Sequence, residues 1–60
     1  MTAEEYYLDV SARLRKARAD LHKFCDNNET DKAADMIRLI QTLVPEEIDA
    51  YNRWMQTPSY

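Results

Sequence analysis

No glycine occurs anywhere in the 60 residues, and the only prolines are Pro45 and Pro58. The tight turns with positive φ on which small β-proteins depend therefore have no obvious source. Ala, Leu, Glu, Lys, Arg, Met and Gln dominate instead, and the aromatics gather towards the two ends rather than alternating along strands. The expected class is all-α.

Thr2 followed by Glu5 has the spacing of a capping box, which starts a helix. Ala3, Tyr7, Val10, Leu14, Ala17, Leu21 and Phe24 then recur at intervals of 4, 3, 4, 3, 4 and 3, the seam of a heptad repeat. The polar run from Asp26 to Thr30 reads as a turn ending in the N-cap Thr30. Beyond it Ala33, Ile37, Ile40, Val44, Ile48, Tyr51 and Met55 form a second stripe near the 3.6-residue period. The expectation is one helical-hairpin domain over 1–60: a helix over about 3–26, a turn at 27–30, a helix over about 31–56, and a loose tail at 57–60 after Thr57-Pro58. Pro45 lacks the amide that would bond to the Gln41 carbonyl, so the second helix is either kinked at 41–45 or broken, with a third short helix starting at Pro45-Glu46-Glu47. The kink is the preferred reading, because the stripe passes the proline in register.

Across the turn, Tyr7 with Tyr51, Val10 with Ile48, Leu14 with Val44, Ala17 with Ile40, Leu21 with Ile37 and Phe24 with Ala33 have position sums of 57 or 58. A constant sum is what antiparallel helices of equal rise require. The second arm carries a further apolar edge, Met36, Leu39, Leu43, Ala50 and Trp54, which one opposing helix cannot cover. A chain this short needs a staple, and one cysteine (Cys25) with one histidine (His22) supplies neither an internal disulfide nor a zinc site. Pairing of two hairpins into a homodimeric four-helix bundle is the expected remedy.

The candidate sites are surfaces. Tyr6, Met36, Leu39, Leu43 and Trp54 are the candidate protein-binding residues, with Tyr6, Tyr7, Tyr51 and Trp54 converging at the open end of the hairpin. Arg15, Lys16, His22 and Lys23 form a candidate nucleic-acid face around Ala12 and Ala19, interrupted by Asp9, Asp20 and Asp26. A net charge of −3 disfavours a protein whose whole surface is meant for nucleic acid. Glu46, Glu47 and Asp49 suit the start of a helix better than a metal or acid/base site. No catalytic residue, cofactor or metal is expected, nor a membrane span, and a free thiol fits the cytoplasm.

Met1-Thr2, the segment Glu29-Thr30-Asp31-Lys32-Ala33-Ala34-Asp35-Met36 and the capped helix–turn–helix plan resemble the Rop family of plasmid RNA-binding proteins. That resemblance implies a dimeric antiparallel four-helix bundle and RNA binding; Pro45 departs from the pattern, and no RNA-binding residues carry over. The short, tyrosine-rich, mixed-charge hairpin is also similar to accessory proteins from the early operons of temperate lambdoid phages, which implies a small regulatory protein acting on host or phage factors. The functional expectation is a non-enzymatic protein-binding module, with nucleic-acid binding as the alternative.

Overall fold

The computed structural model describes residues 1–56; the expected loose tail and the helix stop at Thr57-Pro58 lie outside the described residues. Two helices, α1 (Ala3–Asp26) and α2 (Thr30–Gln56), pack against each other as a hairpin. Thr2 is extended, with φ −79° and ψ 165°, and its hydroxyl accepts from the Glu5 amide at 3.1 Å, satisfying one of the orphan donors of the first turn.

The turn solves the missing-glycine problem with asparagine. Asn28 takes φ 59°, a left-handed conformation that the short polar side chain of asparagine tolerates better than most. The Glu29 amide donates to the Phe24 carbonyl at 2.8 Å and the Asn28 amide to the Cys25 carbonyl at 3.2 Å, the paired bonds of a Schellman stop. Thr30 is already helical, so the cap position falls to Glu29, whose carbonyl accepts from the Ala33 amide at 2.9 Å. Glu29 also holds Lys32 at 3.2 Å, and the Lys32 ammonium lies 5.6 Å from the centre of the Phe24 ring, tying the first turn of α2 to the last of α1.

α2 runs unbroken through Pro45, so Glu46, Glu47 and Asp49 lie within a helix rather than at the start of a third one. The turn containing the proline lacks one bond of the ladder. Pro45 offers no donor to Gln41, and one turn earlier the Thr42 hydroxyl donates back to the Arg38 carbonyl at 3.1 Å.

The seam of α1 packs inward as its spacing indicates. Val10, Leu14 and Ala17 are buried, and Ala3, Tyr7, Leu21 and Phe24 are half-buried. The stripe expected to face it from α2 does so only in part: Ala33 is buried and Ile40 and Val44 are half-buried, whereas Ile37, Ile48, Tyr51 and Met55 remain exposed, at 46, 57, 46 and 53%. Leu43 and Ala50 of the surplus edge are buried in their place, and Met36 and Trp54 of that edge, with Glu47, are half-buried. α2 is thus rotated relative to the sequence reading, so that much of its surplus edge faces the core. The cause is the width of its apolar sector: small Ala33 and Ala50 sit opposite an α1 face that carries Ala17, and the bulkier Ile37, Ile48, Tyr51 and Met55 are left to one side. Val10, Leu14, Ala17 and Leu43 form the central cluster, with Tyr6, Met36, Ile40 and Val44 packed around it.

Candidate interaction surface

Rotation of α2 divides the hairpin into two unlike flanks. On one, a groove of about 300 Å³ opens between the helices, lined by Ala17, Met36, Leu39 and Leu43 with Arg13, Lys16 and Asp20 around it. Met36, Leu39 and Leu43, three of the residues picked out in the sequence, thus line one concavity. Leu43 is part of the core and forms its base, Met36 is half-buried, and Leu39 is the exposed member at 42%. Arg13 is held by Asp9 at 3.2 Å, one helical turn back. Arg13, Lys16, Ala17 and Asp20 are the lining residues that sequence reasoning leaves out of this site. The available signal is a basic residue on the outer edge of an apolar seam, and heptad counting alone puts Lys16 on a different face.

Tyr6 lies on the same flank, half-buried, and its hydroxyl donates to Glu46 Oε1 at 2.7 Å. That bond, together with desolvation and the nearby Glu46 charge, holds the phenol pKa above its ordinary 10.0. Both the bond and the charge favour the neutral phenol, so Tyr6 serves here as a clamp between the helices.

The other flank carries the aromatic cluster. Tyr7 meets Tyr51 at a centroid distance of 5.6 Å and Trp54 at 5.5 Å, and Tyr51 meets Trp54 at 6.4 Å in an edge-on arrangement. Three of the four aromatics expected to converge do so, and Tyr6 goes to the opposite side. Tyr6 and Trp54, the residues read as binding anchors of this end, are both half-buried, and Tyr51 is the exposed member.

Arg15, Lys16, His22 and Lys23 are all exposed on α1. None of the ion pairs among the described residues involves them, whereas those on α2, Arg38 with Asp35 and Arg53 with Asp49, are internal to that helix. Cys25 is exposed beside the turn. Among the described residues no group of His, Cys, Asp and Glu could hold a metal ion, and no helix is long and apolar enough to cross a membrane. Comparison of the chain with protein-family models, with curated proteins and with solved structures finds no match.

Proposed function

We propose that this chain is a small, non-enzymatic regulatory protein of the cytoplasm, of the kind found among phage accessory proteins, which works as a homodimer of hairpins and binds another protein. The groove between the helices carries the reading. It offers an apolar floor, Ala17, Met36, Leu39 and Leu43, beside two cations, Arg13 and Lys16, of which Lys16 has no ion pair among the described residues. Such a slot suits one face of a short amphipathic helix that presents two apolar anchors next to a carboxylate. Two hairpins side by side form the four-helix bundle of this reading, and a kink at Pro45 would curve α2 within it.

Selection of peptides on the immobilised protein tests the partner. The expected ligands are helical, with apolar residues one turn apart and an adjacent Asp or Glu, and their binding is lost in Leu39→Glu while the helix content of that variant is unchanged. Ligands bound equally by wild type and Leu39→Glu would overturn the assignment of the groove.

The exposed basic residues of α1 that take part in no ion pair among the described residues favour a second reading, RNA binding through Arg15, Lys16, His22 and Lys23. Its signature is affinity that falls steeply with salt and disappears in Lys16→Glu combined with Lys23→Glu. Retention of RNA by that double variant would remove the basic face from consideration.

A further inference from the structure

Exposed Ile37, Ile48 and Met55 and half-buried Val44 are not scattered over α2. On a helix advancing about 100° per residue, these four fall within about 40° of one another, a narrow strip along one flank. Gln41, Ala34 and Asn52 border it on one side and Ala33, Tyr51 and Ile40 on the other, and every charged residue of α2, from Asp31 to Arg53, lies at least about 80° from its centre. The strip is a charge-free sector on a chain in which 32% of residues are charged. Val44 also packs against the core cluster, so the strip is continuous with the interior of the hairpin.

Its spacing reads the same in both directions. The intervals are 7, 4 and 7, so that Ile37 and Met55, and likewise Val44 and Ile48, have position numbers adding to 92. When two identical helices run antiparallel about a two-fold axis, residue i faces the copy's residue j and j faces i, and all facing pairs share one sum. A strip built to meet a different protein has no need of that symmetry.

We propose that Ile37, Val44, Ile48 and Met55 form a self-complementary seam through which α2 packs antiparallel against α2 of a second copy, with the axis level with residue 46. The inference rests on the proposed homodimer and specifies its face, which is the flank opposite the Leu39 groove. Ile37 meets Met55 of the copy at each end, and Val44 meets Ile48 of the copy on either side of the axis. The groove, on the other flank of each hairpin, stays open. A seam from 37 to 55 is about 27 Å long, and burying it removes on the order of 1,000 Å² in total, at the lower bound of a specific interface.

Sedimentation equilibrium on the full chain, with circular dichroism to monitor the fold, decides the matter. Ile48→Glu places a charge in the seam at a position 57% exposed in the single hairpin, so the helix content stays and the dissociation constant rises at least about tenfold. Leu39→Glu, on the other flank, leaves the dimer intact. Ile37→Lys and Met55→Glu each weaken self-association, and mixing the two restores a one-to-one heterodimer, because the antiparallel register sets the lysine introduced in one chain against the glutamate introduced in the other. A wild type that stays monomeric at high micromolar concentration overturns the homodimer itself. A dimer that survives Ile48→Glu and is broken by Leu39→Glu keeps the homodimer and overturns this seam. Failure of the mixed variants to associate overturns the antiparallel pairing.

Discussion

Tyr6 and Tyr7 are adjacent in sequence and part company in the fold. Successive side chains on a helix point about 100° apart, so the pair straddles the seam of α1, Tyr6 clamping Glu46 and Tyr7 entering the aromatic cluster. The raised pKa of Tyr6 fixes the sign of a pH effect. A folded-state pKa above the unfolded value of 10.0 means that the contribution is fully present below that value and is lost as pH rises through the folded pKa. Tyr6→Phe is therefore less stable than wild type at neutral pH by a margin that is constant up to about pH 9 and shrinks above the ordinary tyrosine pKa. Urea midpoints of the two proteins across pH 7–11 measure it, and a margin that widened at high pH would contradict the clamp. Asn28 makes the other residue-scale prediction. Replacing it by Ala puts a Cβ without a compensating polar group at φ 59° and costs about 1 kcal/mol, whereas Gly there is neutral or stabilising. Equal urea midpoints for the two variants would mean that the left-handed residue carries no strain.

The helices themselves are legible in the sequence to different degrees. α1 is readable because its seam is narrow: Val10, Leu14 and Ala17 have no apolar competitors of similar size beside them, and the charged residues Arg13, Arg15, Lys16 and Arg18 exclude the alternatives. α2 has apolar residues over a sector of about half its circumference, from Leu39 round to Ile48, and periodicity alone locates the middle of such a sector only loosely. Periodicity places Ala33, Ile40 and Val44 on the packed side correctly but takes Ile37, Ile48, Tyr51 and Met55 with them, where the fold turns Leu43 and Ala50 inward instead. The groove is half legible for the same reason: Met36, Leu39 and Leu43 group correctly as an edge, but Lys16 belongs beside them only once the rotation is known. Pro45 is legible as a weak point, and its cost is testable at this scale. A proline in a helix interior costs about 3 kcal/mol relative to alanine, so Pro45→Ala stabilises the hairpin by roughly 1–3 kcal/mol. No gain in urea midpoint would mean that the missing Gln41 bond is compensated elsewhere. Leu14→Ala, in the central cluster, costs about 3 kcal/mol, while Arg15→Ala on the outer face changes stability by less than about 0.5 kcal/mol.

At the scale of the whole molecule, six apolar residues are buried among those described, and three of them are alanines. A core of Val10, Leu14 and Leu43 with three methyl groups is small for a chain of 60 residues, and chains of this size ordinarily draw stability from a staple or a partner. The large side chains that a single hairpin leaves outside, Ile37, Ile48 and Met55, are the ones that the antiparallel seam would take in. If the second copy completes the core in this way, folding and association are linked, and stability depends on protein concentration. Each tenfold rise in concentration above the dissociation constant then adds about 1.4 kcal/mol per dimer, so the thermal midpoint of the wild type climbs steadily with concentration. Ile48→Glu unfolds at a midpoint independent of concentration and close to that of the wild type at high dilution, because the substitution removes the partner and leaves the hairpin. A wild-type midpoint that does not move over a hundredfold range of concentration would show that the hairpin's small core suffices alone, and that the strip on α2 is free for another use.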